Sequence, residues 1–256
     1  MTFSPLDNHP QTHTAIPCTV VLTGAAGGMG QATAQTLTQR GYRVLGLDHD
    51  AQALQDLAER LGPAFTPLAC DVRDAQLSAQ VLSSLNALAP LGGLVNMVGV
   101  SRGGGLNELK GDDWHHAFEV NVTPAMRLTQ ALAPLMQARG QGSIVNVGSP
   151  VGVVGARKPQ YAASKAALHG LTMSCSRALG QDGVRVNLLL PGPTITRMTQ
   201  DWSAARREEV AQGSALKRLC KVEEVAAVIA FLLGPDSTYL TASVLDMTAG
   251  SMMGHG

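Results

Sequence analysis

The chain has 256 residues, of which 45% are hydrophobic, 15% charged and 4% aromatic, a composition typical of a globular protein. Its 19 basic and 19 acidic residues balance, and no long run of lysine or arginine occurs, so neither nucleic acid nor an anionic membrane is an expected partner. No apolar stretch reaches the ~20 residues that a membrane-spanning helix needs.

The first 15 residues, MTFSPLDNHPQTHTA, are polar and lack the basic start and apolar core of a signal peptide. We therefore expect residues 1–15 to form a flexible extension, residues 16–256 to form one domain, and the protein to be cytoplasmic. The four cysteines are far apart, and neither they nor the seven histidines show metal-ligand spacing. We expect reduced, mostly buried thiols and no metal site.

Short apolar segments alternate with longer amphipathic ones along the chain. Seven segments are typical of buried strands: 18–24, 42–48, 65–71, 91–99, 142–149, 184–192 and 242–248. Between them, six segments predict helices: 29–40, 51–61, 74–88, 112–138, 160–179 and 222–233. This alternation predicts a single-domain α/β protein with a doubly wound parallel sheet of about seven strands and helices on both faces.

The first strand runs into the glycine-rich stretch TGAAGGMG, residues 23–30. Gly24, Gly28 and Gly30 let the backbone turn sharply, approach a pyrophosphate and pack the following helix closely on the strand. The helix N-terminus adds N–H donors and a favourable dipole. The position of the loop between the first strand and the first helix therefore predicts a dinucleotide site.

Acidic residues end the second and third strands. Asp48 lies about twenty residues beyond the glycine loop, where a carboxylate accepts hydrogen bonds from a ribose hydroxyl and would repel a 2′-phosphate. No arginine or lysine follows it immediately, so the pattern favours NAD(H) over NADP(H), the alternative being an ordinary turn residue. Asp71 could reach the adenine ring, although turn chemistry explains it nearly as well.

Tyr161 and Lys165 lie four positions apart in a predicted helix that is otherwise rich in small residues. At this spacing their side chains share one face of the helix. A phenol beside a fixed ammonium is a candidate proton donor and acceptor, because a neighbouring cation favours the phenolate. By itself, the pair is equally compatible with an ordinary helix surface.

With these motifs in one chain order, the sequence resembles the short-chain dehydrogenase/reductase family over about residues 18–250. The matching motifs are T-G-x-x-x-G-x-G at Thr23–Gly30, Asn121 in FEVNV, Ser149 twelve residues before the tyrosine, Y-x-x-x-K at Tyr161–Lys165, and P-G-x-x-x-T at Pro191–Thr196. The resemblance implies a Rossmann fold and a homotetramer. The family's usual Asn-Asn-Ala-Gly is replaced by Asn-Met-Val-Gly, and the larger Val98 lies where the adenosine half of the cofactor would pass.

The resemblance implies an NAD(H)-dependent oxidoreductase that interconverts a secondary alcohol and a ketone by hydride transfer. Tyr161 is then the acid/base, Lys165 lowers its pKa and binds the nicotinamide ribose, Ser149 orients the substrate oxygen, and Asn121 supports a proton relay and distorts its helix. Thr196 and the backbone of Ile195 should hold the nicotinamide carboxamide. The expected cofactor-binding residues are Thr23, Gly24, Gly28, Met29, Gly30, Asp48, Asp71, Val72, Asn96, Gly99, Tyr161, Lys165, Pro191, Gly192, Ile195 and Thr196.

Substrate specificity is expected to come from loops 100–109 and 150–160 and from the segment after Thr196, which has the length and polarity of a lid. Met198 and Trp202 are candidates for contact with an apolar substrate, and four basic residues are candidates for a carboxylate or phosphate: Arg102, Arg157, Lys158 and Arg197. The sequence leaves sugars, hydroxy acids, acyl thioesters and cyclic alcohols open.

Two alternative functions stay open. One is a 3-oxoacyl thioester reductase of the acyl carrier protein type, which Asp48 disfavours if such an enzyme prefers NADPH. The other is a non-catalytic dinucleotide-sensing protein on the same fold, because a fold does not fix a function. The intact set of Asn121, Ser149, Tyr161 and Lys165 disfavours this second alternative.

Overall fold

The computed structural model describes residues 18–196 and 199–253, so the expected extension over residues 1–15 lies outside the described residues. Seven strands form one parallel sheet: β1 Thr19–Thr23, β2 Arg43–Asp48, β3 Phe65–Ala69, β4 Leu91–Asn96, β5 Gly142–Val147, β6 Val184–Pro191 and β7 Val244–Met247. Their order across the sheet is β3-β2-β1-β4-β5-β6-β7. The expected doubly wound Rossmann fold is confirmed.

Helices connect the strands on both sides of the sheet. They are α1 Gly28–Gln39, α2 Ala51–Leu61, α3 Leu77–Leu85, α4 Gly111–Asn121, α5 Thr123–Gln137, α6 Val151–Val154, α7 Pro159–Leu179, α8 Ala204–Gln212 and α9 Val222–Leu233. Within the described ranges, no helix combines the length and apolar character needed to cross a membrane.

Two apolar cores cover the two faces of the sheet. Successive side chains of a strand point to opposite faces. Accordingly, Val20 and Leu22 of β1 join a core with Leu37 of α1, whereas Val21 between them joins a second core with Leu128 of α5. Because both faces are covered, the carboxyl edge of the sheet is left as the place for a ligand.

The segment 112–138, predicted as one helix, is divided into α4 and α5. Val122 separates them with φ −123° and ψ −54°, outside the helical range. Pro124 lies in the first turn of α5, where its missing N–H costs nothing. The helix distortion that we expected at Asn121 is therefore present, one residue after it.

Two short helices lie in segments that we expected to be loops. Helix α6 falls within residues 150–160, and α8 falls within the expected lid. The side chain of Ser203 caps α8 by accepting a hydrogen bond from the backbone N–H of Arg206 at 3.2 Å. Because α8 is mostly polar, its sequence carries little of the apolar periodicity that predicts a helix.

Candidate active site

The glycine loop between β1 and α1 forms one wall of a cleft of about 460 Å³ at the carboxyl edge of the sheet. Gly24 has φ +73°, and a Cβ at Gly30 would lie 2.0 Å from the carbonyl oxygen of Gly24, so no larger residue fits there. Gly27 immediately precedes α1, and no side chain of the described residues caps this helix end. Exposed N–H groups beside a close backbone approach fit the pyrophosphate of a dinucleotide.

Asp48 lines the same cleft at the end of β2. It is 8% exposed, and its Oδ2 accepts a hydrogen bond from the backbone N–H of Ala26 at 3.0 Å. Its Oδ1 accepts from the N–H of Asp50 at 3.2 Å and lies 2.9 Å from Nδ1 of His49. The carboxylate is thus fixed against the glycine loop, where it lines the cleft.

Arg73 is a site residue that the sequence analysis missed. It lines the cleft two residues beyond Asp71, and its Nε donates to both carboxylate oxygens of Asp71 at 3.0 Å. This hydrogen-bonded pair holds the pKa of Asp71 at about 2. The cation that shares the cleft with Asp48 is therefore already paired with a carboxylate. The Asp-x-Arg spacing after β3 was the available signal.

Val98 lines the cleft. Nine of the expected cofactor-binding residues also line it: Gly24, Gly28, Met29, Gly30, Asp48, Asp71, Val72, Gly99 and Thr196. Other lining residues were not expected, and most of them are chain neighbours of the motifs: Ala26, Gly27, His49, Asp50, Cys70, Arg73, Met97, Val100, His116 and Val120. A Cβ at Gly24 would lie 3.3 Å from Cγ2 of Val98, so this larger residue packs tightly against the glycine loop.

Thr23 and Asn96 are buried behind this lining. The hydroxyl of Thr23 accepts from the N–H groups of Met97 and Val98 at 3.0 and 3.3 Å, which ties the end of β4 to β1. Nδ2 of Asn96 donates to Oδ1 of Asn146 at 2.8 Å. Both side chains direct these polar atoms toward protein, so their contribution to the cleft is to fix its shape.

The segment after β6 reaches the cleft at Thr196. Pro191 ends β6, Gly192 lines a second cavity of about 380 Å³, and the side chain of Ile195 is exposed. A Cβ at Gly28 would lie 3.7 Å from Thr196, so the segment returns to the glycine loop. Of this segment, Arg197 and Met198, which we expected near the substrate, lie outside the described residues.

Lys165 is buried next to the cleft, with only 4% of its surface exposed. Its Nζ donates to the carbonyl oxygen of Val147 at 3.0 Å, at the end of β5. Gly99 makes room for the ammonium, because a Cβ at that position would lie 3.0 Å from Nζ. Burial disfavours the charged form and lowers the pKa of Lys165 to about 8.

Tyr161 lies one turn before Lys165, and the side chain of Ser149 is near enough to its phenol to influence its pKa. Burial raises the pKa of the Tyr161 phenol, and hydrogen bonding from Ser149 lowers this pKa by a smaller amount. The pKa therefore lies above its ordinary value, opposite in direction to the lowering that we expected from Lys165. Without a bound cofactor, Tyr161 is therefore a protonated phenol, which is the form of a proton donor.

Asn121 joins three elements around this pair. Its Oδ1 accepts from the N–H of Val100 at 2.8 Å, and its Nδ2 donates to the carbonyl oxygen of Val100 at 3.0 Å and to Oγ of Ser164 at 2.8 Å. Ser164 in turn donates to the carbonyl oxygen of Tyr161 at 2.9 Å. The side-chain amide thus holds the chain after β4 against the first turns of α7.

The side chains expected to bind substrate are mostly engaged with the protein itself. Nε of Arg102 lies 2.8 Å from Oδ1 of Asp113, which forms an ion pair. Trp202 is half-buried, with the guanidinium of Arg206 stacked 5.9 Å above its ring. Arg157 is exposed on the loop before α7.

Metal-binding chemistry finds no support in the described part of the chain. No group of three or more histidine, cysteine, aspartate or glutamate side chains there could hold a metal ion. The cysteines are free thiols and are partly buried, less so than we expected: Cys18, Cys70, Cys175 and Cys220.

Hydride transfer to or from a nicotinamide dinucleotide, coupled to proton transfer at a substrate oxygen, requires a cleft for the cofactor and a proton donor near it, and this chain provides both. The fold and the site together define an oxidoreductase that acts on a small molecule.

Comparison with known proteins identifies the family. A family model described as enoyl-(acyl carrier protein) reductase matches residues 24–251. The chain is 33% identical over 235 residues to 3-oxoacyl-[acyl-carrier-protein] reductase FabG of Vibrio harveyi (91% of this chain, 96% of the relative), and 32% identical over 247 residues to (3R)-3-hydroxyacyl-CoA dehydrogenase of Rattus norvegicus (91% and 95%). A solved short-chain dehydrogenase/reductase family oxidoreductase from Burkholderia thailandensis superposes with a TM-score of 0.88 at 30% identity, covering 93% of this chain and 94% of that one. The chain belongs to the short-chain dehydrogenase/reductase family.

Proposed function

We propose that this protein is an NAD(H)-dependent oxidoreductase that interconverts a secondary alcohol and a ketone. The observation that carries the proposal is the buried Lys165, whose ammonium lies beside Gly99 at the cleft, one helical turn from the Tyr161 phenol and the neighbouring Ser149 side chain. A binding or sensing protein needs no buried ammonium at this place, and burying one is unfavourable.

The proposed chemistry assigns one task to each side chain. When bound, the nicotinamide ring supplies or accepts the hydride. Tyr161 donates a proton to the ketone oxygen during reduction and accepts one from the alcohol during oxidation. Ser149 donates a hydrogen bond to the same oxygen, which orients the substrate and stabilises the charge that develops there. The raised pKa keeps the free phenol protonated, which is the form that reduction needs at its start.

Lys165 and Asn121 are proposed to assist proton transfer by Tyr161 without contacting the substrate. The Lys165 ammonium would bind the nicotinamide ribose and stabilise the phenolate. The side-chain amide of Asn121 is already bonded to Val100 and Ser164, so a proton relay past this residue would use its backbone. We propose that Asp48 binds the adenosine ribose, and that Thr196 and the backbone of Ile195 bind the carboxamide.

NAD(H) is the proposed cofactor because Asp48 faces the ribose end of the cleft. Its carboxylate is fixed by two backbone N–H groups, so it has little freedom to turn away from a 2′-phosphate. The nearby cation, Arg73, is bonded to Asp71, which reduces its capacity to bind that phosphate instead.

The second candidate function is reduction of a 3-oxoacyl thioester. The curated relatives carry names for reduction of 3-oxoacyl thioesters and for oxidation of 3-hydroxyacyl thioesters, which is the same alcohol-to-ketone chemistry. This candidate differs from the first only in what the loops above Tyr161 bind.

The test is formation of NADH or NADPH across sugars, hydroxy acids, cyclic alcohols and 3-hydroxyacyl thioesters, with Tyr161→Phe as the matched variant. We expect one substrate class to react with NAD⁺, and the variant to lose ~10²–10⁴-fold in kcat while it still binds NADH. Equal turnover by wild type and variant would refute the role of Tyr161. Binding of NADH without turnover of any substrate would favour the sensing alternative.

We also propose that the protein is a homotetramer. Helices α4 and α5 carry large apolar side chains on their exposed surfaces, Trp114, Met126 and Leu135 among them, which favours their burial in a subunit interface. Light scattering after size-exclusion chromatography measures the mass directly, and four times the 26.6 kDa of one chain is expected.

A further inference from the structure

Residues 101–105, SRGGG, form a loop that runs from the cleft to the start of α7, next to Tyr161 in the chain. Val100, just before the loop, lines the dinucleotide cleft, and Gly99 adjoins the Lys165 ammonium. The loop then reaches the start of α7 at Gln160, the residue before Tyr161. It therefore forms part of the entrance to the place where a substrate must meet Tyr161.

Two side chains at the start of α7 hold this loop by its carbonyl groups. Nε2 of Gln160 donates to the carbonyl oxygens of Arg102 and Gly104 at 2.8 and 3.3 Å. Nζ of Lys158 donates to the carbonyl oxygen of Ser101 at 2.8 Å. Three carbonyl groups of one five-residue loop are thus bonded to one helix start.

The loop's glycines permit this close approach. Gly103 has φ +84°, and a Cβ there would lie 2.7 Å from Nε2 of Gln160 and 2.9 Å from Oδ2 of Asp113. A residue with a side chain at position 103 would displace either the loop or the Gln160 amide.

Gln160 is unusual in its burial. Its side chain is fully buried, and its Oε1 finds no hydrogen-bond donor among the described residues. Burying an acceptor without a donor is unfavourable. Opening of the loop would let water donate a hydrogen bond to Oε1. The bonds from Nε2 therefore stabilise the closed loop, whereas the unpartnered Oε1 destabilises it. Because only the donor side of the amide is satisfied, the closed loop should open more easily than a contact that is satisfied on both sides.

We propose that Gln160 is a positioning residue that latches loop 101–105 and thereby sets the width of the substrate entrance beside Tyr161. The bonds from Gln160 hold the loop, and Lys158 adds a second, more exposed attachment. The substrate specificity inferred from this latch rests on the proposed function, whereas the latch itself does not.

The test on the free protein is limited proteolysis with trypsin, because the carbonyl group of Arg102 that accepts from Gln160 belongs to the bond that trypsin cleaves. In Gln160→Met, which keeps the length of the side chain and removes the amide, we expect cleavage after Arg102 to rise about tenfold relative to cleavage after the distant Arg40. Lys158→Met should give a smaller rise.

The matched control is Gln137→Met. Gln137 also donates its amide to a residue distant in sequence, Asp182, but at the opposite edge of the sheet, so its loss should leave cleavage after Arg102 unchanged. If Gln160→Met does not fold, Gly103→Ala displaces the same amide from the loop side and should give the same rise. An unchanged cleavage rate in a folded Gln160→Met or Gly103→Ala variant overturns the latch.

The second measurement is substrate selectivity. Once a substrate is known, Gln160→Met should raise kcat/KM for a bulkier homologue relative to a smaller one by about fivefold or more, through KM. The dissociation constant for NADH should stay unchanged. If no substrate reacts, the proposed function fails, and the trypsin result still decides on the latch. If the cleavage rate rises and selectivity does not change, the loop is latched but does not set specificity.

Discussion

The cofactor half and the catalytic half of the site differ in the groups that form them. The cofactor half consists of strand ends, a glycine loop and the start of α1, and backbone N–H groups there fix the carboxylate of Asp48. The catalytic half consists of buried polar side chains from distant segments, such as Asn121 bonded to Ser164 and Lys165 bonded to the carbonyl of Val147. In the cofactor half, glycines leave space for a ligand because they lack side chains. In the catalytic half, polar side chains are buried, which lowers the stability of the fold.

The comparison predicts that Lys165→Met has the largest effect on turnover and improves stability. Removal of the buried ammonium should lower kcat by ~10²–10⁴-fold, because Tyr161 loses the cation that favours its phenolate. A drop in the pKa of Lys165 from 10.5 to about 8 corresponds to an unfavourable contribution of about 3 kcal/mol below pH 8, at ~1.4 kcal/mol per pH unit. Steady-state kinetics and thermal unfolding measure both effects.

The pH dependence of this stability difference tests its cause. The unfolded chain holds the lysine proton up to pH 10.5 and the folded chain only to about 8, so the penalty is complete below pH 8 and disappears as pH rises toward 10.5. The raised pKa of Cys70, about 11, acts in the opposite direction over much of this range, so only the difference between wild type and variant isolates Lys165. A difference that stays constant from pH 7 to 10 would show that burial of the charge is not the reason.

In the cofactor half, Gly30→Ala should be the most damaging small substitution. The added Cβ would lie 2.0 Å from the carbonyl oxygen of Gly24, so the loop must move. We expect a loss of about 1–3 kcal/mol in the free energy of unfolding and weaker NADH binding, measured by denaturant titration and fluorescence. The control is Gly111→Ala, where the added Cβ has open space around it in the described part of the chain. Equal effects at both positions would contradict this account.

The same contrast explains what the sequence could predict. The glycine loop and Asp48 are recognisable because their spacing along one strand-loop-helix unit is fixed by backbone geometry. The contacts in the catalytic half, such as that of Gln160 with the carbonyl groups of loop 101–105, join segments more than fifty residues apart, and no local pattern encodes them. The break after Asn121 was expected from the poor fit of asparagine to a helix interior and from its family position, and Pro124 gave a further local signal.

Asp48→Asn should shift the preference between NADH and NADPH, by a smaller factor than the loss of turnover expected for Lys165→Met. Removal of the negative charge should raise the affinity for NADPH relative to NADH by about tenfold, as determined by titration of each cofactor. Asp50→Asn removes a charge from the same cleft, but at the side-chain cap of α2, so it should change the ratio less. Equal shifts in the two variants would show that the net charge of the cleft, rather than the position of Asp48, sets the preference.

Arg102→Met should have the smallest effect, although its charge is an obvious candidate for binding a substrate carboxylate or phosphate. Arg102 is paired with Asp113, and a half-exposed ion pair contributes only ~0–1 kcal/mol, so kcat/KM for an anionic substrate should fall less than about threefold. Arg157→Met is the matched variant, because Arg157 lies at the same entrance on an exposed loop. A large loss confined to Arg102→Met would mean that the substrate displaces Asp113. The ion pair would then be a resting state of the entrance, and the catalytic half would rearrange on binding in a way that the cofactor half does not.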